Sequence, residues 1–300
     1  MARTTRRQFA LSAAAGAAGA LMPRARAQTA APLITRAIPK SGEQLPAVGL
    51  GTASVFDDDD ATTRSKAEAV IKALAANGGT LIDTASTYGD AESVIGAVLG
   101  LAGGRQKFFV ATKLESPDAA ELRRSLARLQ TQKVDLLQLH NVSNPRQSLA
   151  RFNEWKAQGM CRYVGITSTF HGEFGAVEAV LRREKPDFVQ IDYSLDDREV
   201  EKRILPLAAE VKAGVLTALP FGRGRLFRAV RGKAIPDWAQ NFAGSWAQFF
   251  LKYLLADPRV TAVIPGTADP AHMRDNAGAM QGALPDPDQR RRMVQFVAGL

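Results

Sequence analysis

Four side chains able to exchange or polarise protons stand at or just past the ends of short apolar runs: Asp83, Tyr88, Lys113 and His140. Thr80-Leu81-Ile82 leads into Asp83, and Tyr88 follows five residues later beside Gly89. Phe108 to Thr112 leads into Lys113, and Val134 to Leu139 leads into His140. A lysine buried beside a phenol favours the phenolate, so Tyr88 is expected to titrate below its ordinary value of about 10. Asp83 would pair with Lys113 and hold it charged. A tyrosine tuned in this way serves as a general acid or base near neutrality. His140 can orient a carbonyl oxygen and stabilise charge that develops on it. Taken singly, an aspartate caps turns, a lysine marks a strand end and a histidine bonds within a core. The four together point to proton transfer at a carbonyl. No serine or cysteine is paired with a base. The three histidines (His140, His171, His272) show no metal-ligand spacing, and no metal is expected. Protonating a carbonyl oxygen calls for a hydride donor, hence a nicotinamide cofactor.

Such convergence requires the runs to be neighbouring strands. Eight are expected, over residues 48–52, 80–85, 108–113, 134–140, 162–168, 188–193, 215–220 and 261–265. Their continuous apolar character suits strands covered on both faces. Between them, three- and four-residue apolar spacing predicts helices over 62–76, 118–130, 146–158, 173–184 and 245–256. Serial βα units predict an α/β fold of the (β/α)8 TIM-barrel type, in which strand C-termini share one functional mouth. No GxGxxG follows the first strand, which disfavours a doubly wound open sheet. Residues 33–48 read as an N-terminal β-hairpin closing the barrel bottom, and 287–298 as a closing C-terminal helix.

The net charge is +9, but five of the positive charges lie in the first 27 residues, which carry no acid; the remainder has +4. No basic run with interleaved aromatics remains, so nucleic acid is not an expected partner. Those 27 residues pair Arg6-Arg7 with an alanine-rich apolar run and the small-residue site Ala25-Arg26-Ala27. They read as a twin-arginine signal peptide, which predicts a periplasmic protein with one domain over 28–300 and no stable membrane insertion after cleavage. The lone Cys161 opens an apolar strand and reads as inert core. The carboxylates Asp57 to Asp60 read as the entry to a helix.

The chain resembles the aldo-keto reductase family. The likeness rests on LPAVGLGTA (45–53), LIDTASTYGDAESVIG (81–96), VATKL (110–114), VDLLQLHN (134–141), VGITS (164–168), VQIDYS (189–194), VLTALPFGRG (215–224) and VIPGTADPAHMRDN (263–276). The resemblance implies NADP(H), or NAD(H), bound in an extended pose, and reduction of small aldehydes or ketones by a monomer. It implies Tyr88 as proton donor supported by Lys113, Asp83 and His140. It places Ser168 and Gln190 at the nicotinamide carboxamide, and Asp83 at the ribose beside Gly51 and Thr52. Leu219, Pro220, Phe221, Gly222 and Arg223 fall on the pyrophosphate cover. Gly266, Thr267, His272, Asp275 and Asn276 fall at the adenosine end. Phe56, Glu115 and Asn141 are expected around the substrate. The aromatic ring on which nicotinamide usually stacks falls at Ala218, Thr169 stands for a common asparagine, and His272 stands for the arginine that grips a 2′-phosphate. Export away from reduced cofactor keeps an alternative in view: a non-turnover nucleotide- or carbonyl-binding module on the same barrel.

Overall fold

The computed structural model describes residues 32–142 and 145–300; the predicted signal peptide lies outside them. The described residues form one compact unit.

The barrel strands are β3 (Leu50–Gly51), β4 (Leu81–Asp83), β5 (Phe109–Leu114), β6 (Val134–Leu139), β7 (Cys161–Ser168), β8 (Phe188–Asp192), β9 (Gly214–Ala218) and β10 (Ala262–Val263). They pair in parallel in chain order. Parallel bridges Val48–Val263 and Gly51–Gly266 join the first strand to the last and close the barrel. Closure there needs glycine: a Cβ on Gly51 would lie 2.8 Å from the Ile264 carbonyl oxygen. These two seam strands are shorter than the sequence predicts, because the isolated bridges replace a full ladder.

The helices that follow the strands are α1 (Ala61–Ala76), α2 (Ala91–Leu99), α3 (Ala119–Arg128), α4 (Pro145–Ala157), α5 (Phe174–Glu184), α6 (Glu199–Glu210), α7 (Arg225–Ala229), α8 (Trp246–Leu255), α9 (Pro270–Gly278) and α10 (Pro287–Ala298). The Asp57 to Asp60 run does lead into a helix: Asp60 accepts the Thr63 amide at 2.7 Å and caps α1, while Asp59 pairs with Arg64. Cys161 is buried and free, and burial pushes its thiol up to about 12, which leaves it unreactive.

Strand parity divides the core in two. Outward residues such as Ile82, Val110, Leu137 and Ile166 pack with the helices. Inward residues Leu81, Phe109, Leu136, Tyr163, Phe188 and Leu216 fill the barrel. The hairpin β1 (Thr35–Ala37) and β2 (Gln44–Pro46) contributes Ile38 and Leu45 to this inner cluster, so it plugs the bottom as expected. Tyr163 fixes the plug by donating to Glu43 Oε2 at 2.6 Å. With the bottom filled by side chains, the mouth formed by the strand C-termini is the face left for chemistry.

Candidate active site

The inward parity that buries Leu81, Phe109 and Leu136 continues upward to Asp83, Lys113, Gln138 and His140. Lys113 Nζ donates to Asp83 Oδ2 at 2.6 Å and to the Thr84 carbonyl at 2.8 Å. The same ammonium lies 4.8 Å from the centroid of the Tyr88 ring. The Tyr88 and His140 rings meet edge to face at 5.6 Å between centroids. All four residues line one cleft of about 570 Å³ at the mouth.

The phenol does not titrate as the sequence suggests. Burial raises the Tyr88 pKa, and this outweighs the opposing pull of the Lys113 ammonium; Asp83 adds to the rise. Burial also works against the Lys113 cation, but Asp83 and Tyr88 together hold it above its ordinary value. Lys113 is therefore a fixed positive charge, and Tyr88 is a protonated phenol at neutral pH. Burial and the Lys113 charge hold His140 below the ordinary imidazole value, against the carboxylates of Glu115 and Asp83.

Gln138 is a member of this group that the sequence reading missed. Its amide nitrogen approaches Asp83 Oδ1 at 3.3 Å and donates to Gln190 Oε1 at 2.9 Å. Gln190 in turn reaches Asp83 Oδ2 at 3.3 Å and lines the cleft. The signal was available as parity, since Gln138 lies two residues before His140 on one strand.

Three sequence-predicted residues are not where they were expected. Phe56 is fully buried in the outer core and is not a cleft wall; Ala53, Ser54 and Val55 take that place. Ser168 has outward parity and donates to Glu173 at 2.6 Å, whereas Thr167 and Thr169 line the cleft. Glu115 lies in an adjoining polar depression and contacts His140 Nδ1 at 2.5 Å. Asn141 does line the cleft, and its backbone N–H donates to Thr167 Oγ1 at 3.0 Å. His171 is held by Asp197 at 2.9 Å, outside the cleft lining.

Ala218 lines the cleft without a ring, and Phe170 and Phe221 supply aromatic surface beside Tyr88. Leu219, Pro220, Phe221 and Arg223 form one edge, continued by Gly224. Left-handed backbone recurs along this segment, at Leu219 (φ 52), Gly222 (φ 56), Arg223 (φ 53) and Gly224 (φ 79). A Cβ on Gly222 would come within 2.6 Å of Asp196 Oδ1, so only glycine lets the segment approach that carboxylate. Asp196 also accepts from Arg225 at 2.8 Å, which ties the segment to the loop after β8.

Beyond this strap a second cavity of about 460 Å³ is lined by Phe227, Trp246, Thr267, His272, Asp275 and Asn276, and it shares Phe221 and Gly266 with the cleft. Asp275 Oδ1 is fixed by Ser245 and Gln248, each at 2.8 Å. Two adjoining cavities with a glycine-containing strap between them fit a dinucleotide laid along the mouth. Thr52 is fully buried, and its hydroxyl oxygen beside Gly51 has no partner among the described residues.

Asp192, at the end of β8, reports on the strap side of this mouth. Burial and the Asp197 carboxylate push its pKa up to about 6, against Arg223, His171 and Arg225. A carboxylic acid whose folded pKa is raised destabilises the fold above that pKa, and the burden vanishes below the unfolded value near 3.9. Asp192→Asn should therefore raise the unfolding temperature at about pH 8 and leave it unchanged near pH 4. Thermal denaturation followed by circular dichroism at both pH values checks this.

A closed parallel barrel with a protonated phenol, a buried ammonium and an imidazole at its mouth is an oxidoreductase architecture for carbonyl and alcohol groups. Residues 47–294 match the aldo/keto reductase family, and the chain belongs to it. It is 29% identical over 252 residues to the methylglyoxal reductase YeaE of Escherichia coli (strain K12), covering 80% of this chain and 87% of that protein. It is 32% identical over 251 residues to an aldo-keto reductase of Mycolicibacterium smegmatis, covering 77% and 80%. Among solved structures, an aldo-keto reductase from Klebsiella pneumoniae in complex with NADPH superposes with a TM-score of 0.76 at 24% identity, covering 88% of this chain and 96% of that one.

Proposed function

We propose that the protein reduces a small aldehyde or ketone with NADPH or NADH, using Tyr88 as the proton donor. The observation that carries this reading is the contact of Lys113 with both Asp83 and the Tyr88 ring inside the shared cleft. Solved relatives described with NADPH or with NADP support the cofactor.

When bound, reduced nicotinamide supplies a hydride, which carries both electrons of the reduction. A carbonyl oxygen seated between Tyr88 and His140 accepts hydrogen bonds from both. As negative charge grows on that oxygen, Tyr88 gives up its proton to it, and Lys113 stabilises the phenolate left behind. Asp83 holds the ammonium in place through its 2.6 Å contact, and Gln138 and Gln190 steady the carboxylate. Gln190 and Thr167 would offer polar groups to the carboxamide, and the Leu219 to Gly224 strap would cover the pyrophosphate. Loss of reduced-nicotinamide absorbance with a panel of small aldehydes tests the reading; no consumption above background with any of them would sink it.

The adenosine end predicts weak discrimination between cofactors. His272 is largely exposed, and its nearest acid is Asp269 at 3.9 Å. A histidine is a poorer partner for a 2′-phosphate than an arginine, because it lacks the bidentate guanidinium fork. Dissociation constants for NADPH and NADH should agree within about tenfold, or about 1.4 kcal/mol. Trp246 lines the adenosine cavity, so quenching of tryptophan fluorescence reads binding directly. A preference for NADPH above roughly a hundredfold would contradict this.

A further inference from the structure

Glu115 was expected at the substrate, but it engages the Nδ1 edge of His140 from the polar depression beside the cleft. Its Oε1 lies 2.5 Å from His140 Nδ1, and Thr87 Oγ1 lies 3.3 Å from the same nitrogen and 3.4 Å from Glu115 Oε1. An ionised carboxylate only accepts hydrogen bonds, so a contact this short requires the proton to sit on Nδ1. A neutral imidazole carries one N–H, and a proton on Nδ1 leaves Nε2 with a bare lone pair. Nε2 has no partner among the described residues, and His140 lines the cleft.

A bare lone pair cannot donate to a carbonyl oxygen; it repels one. We propose that Glu115 is a positioning residue that locks His140 in its Nδ1–H form, so that the nitrogen facing the substrate carries a proton only in the imidazolium. This rests on the carbonyl-reducing role given to the cleft above. Carbonyl reduction then runs on the Glu115 carboxylate–imidazolium pair. His140 donates a hydrogen bond and keeps its proton, while the proton that ends on oxygen comes from Tyr88.

The groups facing the ring fix the sign of the pH dependence. From β4 and its loop come Asp83 and Tyr88, from β5 and its loop come Lys113 and Glu115, and Thr167 from β7 is neutral. Burial and Lys113 disfavour the imidazolium more than Glu115 and Asp83 favour it. The reducing form is therefore an acid-side species. Reduction should decline as pH rises through a break below the ordinary imidazole value of about 6.5. In kcat/KM the decline is about tenfold per pH unit. In Glu115→Leu the carboxylate is gone, the Thr87 hydroxyl donates to Nδ1, and the neutral ring presents Nε2–H to the cleft. That variant should lose the break and exceed wild type by about tenfold or more near pH 8.

Long-range proton–nitrogen correlation spectra of 15N-labelled protein test the claim without substrate. The chain has three histidines, and a His140→Gln sample assigns the resonances. The expected result is a neutral His140 protonated on Nδ1 in wild type and on Nε2 in Glu115→Leu. Nε2 protonation in neutral wild type would overturn the proposal, and so would an unchanged pH profile in a folded Glu115→Leu protein. A Glu115→Gln sample guards against misfolding of the leucine variant: its amide no longer demands Nδ1–H, so an Nδ1–H population as complete as wild type counts against the proposal. Failure of every variant and wild type to reduce aldehydes would remove the function reading alone, because the spectra judge Glu115 independently.

Discussion

Replacing Tyr88 with phenylalanine lowers kcat for aldehyde reduction by roughly a thousandfold, within the range expected for loss of a positioned general acid. The substitution keeps the ring that packs against the core and that the Lys113 ammonium faces at 4.8 Å. Lys113 keeps its contacts with Asp83 and the Thr84 carbonyl, so no buried charge is stranded. Stability should stay within about 0.5 kcal/mol of wild type. Cofactor affinity, read from tryptophan quenching, should also hold, because the phenol oxygen belongs to the chemistry and not to the cavity around Trp246. Single-turnover reduction with saturating cofactor separates these effects. A phenylalanine variant that turned over within tenfold of wild type would show that the proton comes from elsewhere, and the buried ammonium would then have no chemical purpose here. Equal and negligible rates in both proteins would instead favour a binding module.

The fold was legible because its strands are covered on both faces. Val134-Asp135-Leu136-Leu137-Gln138-Leu139 is entirely buried, and such runs announce themselves without knowledge of their partners. Helices whose period is broken were harder to see. The sequence reading places no helix at α2, where Gly96 sits in the middle of a run buried on most sides. That glycine is forced by packing, since a Cβ there would strike the Arg128 carbonyl of α3. Nor does it place α6, which tolerates Pro206 in its eighth position.

Within the site, residue types at strand ends revealed Asp83, Lys113 and His140, but not which way each neighbour faces. A one-residue change of parity separates Thr167 in the cleft from Ser168 on Glu173, and the local sequence is compatible with either. Phe56 looked like a wall because it follows the first strand, yet an aromatic there is equally at home under α1. The Tyr88 shift runs opposite to the sequence expectation for another reason. A charge partner can be read from spacing, whereas burial of the phenol is a property of the assembled mouth. The role of Glu115 was hidden similarly, because its contact with His140 joins the ends of two strands 25 residues apart in the chain.

The largest stability effect is expected at Lys113. Its side chain and that of Asp83 are 1% and 3% exposed, so neither charge is appreciably hydrated in the fold. Lys113→Met preserves length and apolar volume but leaves the Asp83 carboxylate with two amide contacts of 3.3 Å from Gln138 and Gln190. Removing one partner of a buried ion pair costs about 3–5 kcal/mol, because the survivor keeps its desolvation penalty and loses its compensation. For a domain of this size the unfolding temperature falls by roughly 10 °C. Adding Asp83→Asn should recover much of that loss, since a neutral amide beside methionine demands less hydration and still bonds the two glutamines. The double-mutant cycle should return a coupling of about 2 kcal/mol or more. Neither protein should reduce aldehydes, as the phenolate formed at Tyr88 would lack its cation. A lysine whose folded pKa is raised contributes stability that is complete below its unfolded value near 10.4 and lost as pH rises through the folded one. The lysine's own share of the gap between wild type and Lys113→Met should thus be constant through neutral pH and be lost only in strong alkali. Strict additivity of the two substitutions would mean that the ammonium and the carboxylate do not sense each other, and the support for Tyr88 would have to be sought among the glutamines.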